Sequence, residues 1–361
     1  MLRNKKKIKA RWMSTFAALI LIVALLSGCG NNDKKEAGVQ SQSPKPNSIA
    51  ATYKDGGKVT QAELASFIGA LSFVNQQYAQ SKDVPEFKEY ALKQVVLSKV
   101  LVARASEANK KAADAKVKEQ MDQINKLDKQ QKEDLDKRFK DAGITLADIE
   151  SYIRSNEILM LDATSKVTDQ QIKEKYENKL KEDPIAFDIA TVSHILFALK
   201  DPTDQSGQKV LRTKEEALKL AKEVKDKLTA GGDFAALAKQ YSDDGGSKEN
   251  GGKYENQSLS QWVPEFKKAA GTLPLNTISD PVETQFGYHI MKVESRSTKT
   301  LAEETTKLRQ ELAETQINQF MEKEFPSLEF KSNLPVISPS PEASIAPAAS
   351  PAASVQPSPV K

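Results

Sequence analysis

Cysteine and histidine are nearly missing from this sequence. A single cysteine, Cys29, in 361 residues excludes an intramolecular disulfide and a thiolate cage for a metal. Two histidines, His194 and His289, do not stand at metal-ligand spacing, so no metal and no cofactor is expected. Aromatic residues make up 6% of the chain and mean hydropathy is −0.53, so the 39% of hydrophobic residues must build cores beneath much solvated helix surface. The glycine pairs Gly245-Gly246 and Gly251-Gly252 lack the lysine and hydroxyl of a phosphate loop, and no G-x-S-x-G occurs. No repeat recurs at a fixed period, which excludes a solenoid.

A basic excess is also missing once the N-terminus is set apart. The whole chain is +4, but residues 1–28 hold six Lys/Arg and no acid, leaving 47 basic against 49 acidic residues, a net of −2. Nucleic acid is therefore not expected as a partner, because phosphate binding needs a concentrated basic face. The length of 361 residues predicts two or three domains.

What is present begins with an address. The basic run Met1 to Arg11 precedes an apolar stretch, Trp12 to Leu26, which includes Ser14 and Thr15. Its 15 residues fall short of the ~20 that cross a bilayer and read as an export signal over 1–28. Leu26-Ser27-Gly28-Cys29 resembles the lipobox of bacterial lipoproteins. That resemblance implies that Cys29 becomes the mature N-terminus and carries two or more acyl chains, enough for stable anchoring at the outer face of the cell membrane. A flexible tether follows over 29–48, and 331–361, with seven of the sixteen prolines, is predicted to be a disordered tail.

Between them, capping boxes announce helices. Thr60 with Glu63 precedes the one-faced series Leu64, Phe67, Ile68, Leu71 and Val74, and Thr168 with Gln171 opens a helix carrying Ile172 and Tyr176. Val84–Asn109 and Ala112–Lys140 are predicted to be helical, as is Leu301–Phe325. The composition changes at Pro184. Ile189–Leu199 is strand-like, Thr213 caps a helix that stops at Gly231-Gly232, Asp233 caps another, and strands are expected near Ile278–Val282 and Tyr288–Glu294. The economical arrangement is a helical domain of residues 49–183 with 298–330, interrupted by an α+β insert at 184–297.

Both histidines fall on strand-like segments of the insert. Alternation puts His194 with Val192 and Leu196, and His289 with Met291 and Val293. Each ring is expected to be buried and so hydrogen-bonded, either as a satisfied core histidine or as part of a site. Val192-Ser193-His194-Ile195-Leu196, Phe234 to Asp243, Val263-Pro264-Glu265-Phe266 and Phe286-Gly287-Tyr288-His289-Ile290 occur in the order of the parvulin peptidyl-prolyl isomerases, over about 110 residues. With the lipobox and flanking helices, residues 1–330 resemble the PrsA-type foldase lipoproteins. The resemblance implies a parvulin-like α+β domain inserted in a mainly α-helical, SurA/PrsA-like chaperone domain.

It also implies site residues. His194 and His289 would be the paired histidines of the floor, Thr284 part of their network, and Asp244 the group near the substrate carbonyl. Asp244 can equally be read as a solvated turn acid beside Gly245-Gly246. Tyr254, Trp262, Phe266 and Phe286 would form the proline pocket. Lys253-Tyr254-Glu255 departs from the parvulin pattern of Gly-Asp-Leu-Gly followed by aromatics. This departure favours the alternative of a non-catalytic holdase with a degenerate insert. The implied partners are unfolded or partly folded exported proteins and, through Cys29, the membrane; a homodimer through the helices is left open.

Overall fold

The computed structural model describes residues 46–204, 206 and 208–335. The expected export signal, Cys29, most of the expected tether and nearly all of the expected Pro-rich tail lie outside these residues. Among the described residues the strands are β1 (Ile49–Tyr53), β2 (Gly57–Thr60), β3 (Asp188–Ala198), β4 (Lys253–Ser258), β5 (Val282–Thr284), β6 (Gly287–Thr298) and β7 (Lys331–Ser332). The α-helices are α1 (Gln61–Val74), α2 (Gln76–Ala79), α3 (Pro85–Arg104), α4 (Glu107–Asn125), α5 (Lys129–Ala142), α6 (Leu146–Ser165), α7 (Asp169–Glu182), α8 (Lys214–Thr229), α9 (Phe234–Tyr241), α10 (Pro264–Thr272) and α11 (Leu301–Gln319). They divide into two compact units, one of residues 46–171 and 309–335, the other of residues 172–308.

In the first unit an antiparallel sheet in the order β2-β1-β7 accompanies helices that bury Phe73, Val117, Leu135, Phe139, Ile149 and Ile153 together. The Thr60 capping box opens α1 as expected. The two long helices expected over 84–109 and 112–140 are instead three, because polar side chains cap the backbone at the breaks. Ser106 accepts the Asn109 N–H at 3.2 Å while its own N–H donates to Asp162 at 3.1 Å. Asp128 and Gln131 form a reciprocal box, with bonds of 2.8 and 3.1 Å. Helix α6 was not anticipated, although Thr145 and Asp148 form its capping box. Helix α11 stops at Gln319, and a π turn over Phe320–Glu324 and a 3₁₀ turn containing Pro326 replace its expected last residues.

The second unit is the α+β body. Its antiparallel sheet runs β4-β3-β6-β5. Ile195 and Phe197 of β3, with Tyr288 and Ile290 of β6, pack against Ala221, Val224 and Ala238 from α8 and α9. Val192, Met291 and Val293 occupy the opposite face with Phe266 and Ala270 of α10. Each of the larger aliphatic and Phe side chains among them contributes roughly 1.5–3 kcal/mol by leaving water, so both faces hold the central strand pair. The strand expected near 278–282 lies at Val282–Thr284, and Ile278 makes one bridge to Lys292. This unit also takes in most of α7. Tyr176 stacks on Phe187 at 4.4 Å and 11°, and its hydroxyl donates to the Lys299 carbonyl at 2.8 Å.

Candidate active site

Strand register brings the two histidines together. On β3 and β6, His194 pairs with Met291 and Leu196 with His289, so the imidazoles are diagonal neighbours across the strand pair. Both rings are 4% exposed and stand on the α10 face, where the edge of Phe266 meets His194 at 5.3 Å and His289 at 5.2 Å. Trp262 packs edge-on against Phe266 at 5.0 Å, and Tyr254 lies 5.6 Å from His194.

The turn after α9 supplies the acid. Ser242 Oγ accepts the N–H groups of Leu196 and Asp244, each at 3.2 Å, and the Asp243 N–H donates to the Leu196 carbonyl at 2.8 Å. These bonds pin the segment beside β3 and deliver the buried Asp244 carboxylate to His194 Nε2 at 2.8 Å. Opposite, Gly252 accepts the His194 N–H at 2.8 Å with φ at +74°, and a Cβ there would come 2.2 Å from the His194 carbonyl oxygen. Only glycine satisfies both that backbone and that approach.

A hydrogen-bonded chain results. His194 Nδ1 and His289 Nδ1 are 3.1 Å apart, and His289 Nε2 lies 2.9 Å from Thr284 Oγ1, which accepts the Phe286 N–H at 3.1 Å. An ionised Asp244 can only accept, so His194 donates through Nε2. If His194 is neutral, its Nδ1 accepts from His289 Nδ1 and the Thr284 hydroxyl donates to His289; if it is protonated beside Asp244, its Nδ1 donates to His289 Nδ1 instead.

The electrostatics favour this arrangement. Burial alone would raise the Asp244 carboxyl, but bonds and charge from His194, with the hydroxyls of Ser247 and Tyr254, hold it well below the usual carboxylate range. For His289, burial pushes the imidazole far down, His194 adds to the effect, and the Asp244 charge offsets it in part. The site thus holds a fixed anion and a neutral base beneath apolar rings.

His194, Asp244, His289 and Thr284 are therefore brought into one chain; Phe266, with Trp262 against it, packs on both imidazoles, and Tyr254 packs on His194. Phe286 stands apart from the buried floor: its side chain is 44% exposed at the β5–β6 turn. Cys29 lies outside the described residues. The sequence did not single out Ser247, which is 1% exposed and donates to Asp244 at 2.5 Å, because Gly-Gly-Ser reads as an ordinary turn. Among the described residues no group of His, Cys, Asp or Glu side chains is arranged to hold a metal.

The family model for the PPIC-type PPIase domain matches residues 159–297, which include each member of the hydrogen-bonded chain. The chain is 31% identical over 306 residues to the foldase protein PrsA of Caldanaerobacter subterraneus subsp. tengcongensis, covering 81% of this chain and 85% of that protein. It is 30% identical over 315 residues to foldase protein PrsA 3 of Bacillus cereus, covering 87% and 86% respectively. A crystal structure of peptidylprolyl isomerase (PrsA) from Bacillus anthracis aligns with 65% of this chain and 94% of its own at 26% identity, with a TM-score of 0.37. The sequence relatives, matched over 306 and 315 residues and so over far more than the isomerase segment, decide the matter: the chain belongs to the PrsA family of foldases and is a peptidyl-prolyl cis-trans isomerase.

Proposed function

We propose that the protein works outside the cytoplasm, held by lipid on Cys29 at the outer face of the cell membrane, and isomerises X–Pro bonds of exported proteins that are still unfolded or partly folded. The helical segments, 49–183 and 298–330, hold stretches of the client. His194, Asp244, His289 and Thr284 form the catalytic floor, and Tyr254, Trp262, Phe266 and Phe286 receive the proline. One observation carries the site assignment: a buried, ionised carboxylate tied through two imidazoles to a threonine, directly beneath Phe266.

Amide resonance opposes rotation with a barrier of ~18–20 kcal/mol and places negative charge on the carbonyl oxygen and positive charge on nitrogen. An anion fixed beside that oxygen disfavours the planar, charge-separated form, while the twisted amide has less charge to oppose. Apolar rings grip the pyrrolidine and strip water from the carbonyl. A ~10⁴-fold acceleration requires about 5.5 kcal/mol of such preference, and no covalent bond changes.

Isomerisation of X–Pro peptides by wild type, His194→Ala and Asp244→Asn tests the assignment. The expected loss is at least about tenfold in each variant, and up to the roughly 10²–10³-fold that removal of a preorganised electrostatic group costs, with circular dichroism unchanged. Folded variants as active as wild type would overturn it.

A further inference from the structure

The Asp244 carboxylate gathers more donors than its pairing with His194 requires. Its Oδ2 accepts from His194 Nε2 at 2.8 Å, Ser247 Oγ at 2.5 Å and the Tyr254 hydroxyl at 2.9 Å, and Oδ1 accepts the Gly246 N–H at 3.1 Å. Tyr254 reaches it from β4, whereas Ser247 and Gly246 belong to the turn that carries Asp244 and His194 to β3. The phenol therefore ties the carboxylate to a separate strand.

Room for that hydroxyl comes from residue 246. A Cβ on Gly246 would lie 2.7 Å from the Tyr254 oxygen. The backbone of Gly246 is not in the left-handed region, so its conformation does not itself call for glycine. The contact that excludes a side chain is the tyrosine hydroxyl.

We propose that Tyr254 is a positioning residue of the isomerase site: its hydroxyl, lodged in the gap at Gly246, fixes the Asp244 carboxylate in place. The proposal rests on the reading of Asp244 as the group beside the substrate carbonyl. A carboxylate held by one neighbour can swing about its Cβ–Cγ bond, and small displacements cost heavily where a fixed charge must meet a particular atom. Donors arriving from β3, β4 and the turn remove that freedom. The sequence feature that departs from the parvulin pattern thus becomes part of this chain's own machinery.

The test measures kcat and KM on an X–Pro peptide, with thermal unfolding alongside, for Tyr254→Phe, Gly246→Ala, the double variant and Asp244→Asn. Tyr254→Phe keeps the ring that walls the pocket, so KM should stay within about twofold while kcat falls roughly three- to tenfold, the loss of one charge-assisted bond felt partly in the transition state. Gly246→Ala alone should lower kcat to the same degree, because the mobile end of the phenol yields to the methyl and leaves Asp244. In the Tyr254→Phe background the alanine should cost nothing further, since the nearest remaining atoms lie at 3.4 and 3.8 Å. An unchanged kcat in Tyr254→Phe, or a Gly246→Ala loss equal in both backgrounds, overturns the proposal. If Asp244→Asn also leaves kcat unchanged, the reading of Asp244 has failed and the proposal falls with it. A loss in Asp244→Asn without one in Tyr254→Phe defeats the positioning role alone.

Discussion

At the scale of single residues, the site opposes two environments along one chain of bonds. Burial depresses the His289 imidazole below its unfolded value of about 6.5. As pH falls below that value, the unfolded chain takes up a proton that the folded site refuses, so stability is lost on acidification. Asp244 acts in the same direction at lower pH: its depressed carboxyl contributes stability above its unfolded value of about 3.9, lost as pH falls further. Denaturant unfolding between pH 7 and pH 5 should therefore show a falling midpoint. In His289→Gln, whose amide can still bond both neighbours, the slope should be shallower by up to about 1.4 kcal/mol per pH unit. An identical slope in wild type and variant would remove His289 from the account. Strand alternation and the parvulin resemblance agree on His194 and His289, whereas Thr284 and Asp244 were legible through the resemblance alone, and Asp244 could equally be read as a turn acid. Ser247 and Gly246 were not legible, since their roles depend on what β4 brings across the turn.

At the scale of elements, capping chemistry was the most legible signal, and Thr60, Thr213 and Asp233 each open the helix expected of them. Helix breaks at Ser106 and Asp128 were hidden because apolar spacing continues through them. The β2-β1-β7 sheet was hidden for another reason: its strands are short, and Ala51 finds its partner at Ser332, far along the chain. The approach of β4 to β3 is the element contact on which the site depends most. Gly252→Ala would force a Cβ against the backbone oxygen of His194 at a positive φ. We expect a loss of about 2 kcal/mol or more, read by chemical unfolding, because neither backbone can yield without breaking the β3–β4 pairing. Gly245→Ala, with open space around its Cβ and no positive φ, is the control and should stay within about 0.5 kcal/mol. Equal effects at the two positions would refute the close-approach argument.

At the scale of the whole molecule, chemistry and address are separable. Each proposed catalytic and pocket residue lies between 194 and 289, inside the unit of residues 172–308, whereas the address rests on residues 1–29. The proposed export and lipid attachment rest on the basic n-region, the 15-residue apolar stretch and the chain's single cysteine after Leu26-Ser27-Gly28. One acyl chain binds a membrane marginally, with an association constant of about 10⁴ M⁻¹, and two make the attachment stable. Wild type should therefore fractionate with membranes, and its mature mass should lack residues 1–28 and include added lipid. Cys29→Ser should leave the chain unlipidated, while isomerisation of X–Pro peptides by the purified variant stays at the wild-type rate. Retention of residues 1–28 without lipid in wild type would overturn the anchor, and a collapse of peptide turnover in Cys29→Ser would overturn the separation. If both hold, any defect of that variant in folding exported proteins in the cell reports the lost location, because the machinery for turning the bond is intact.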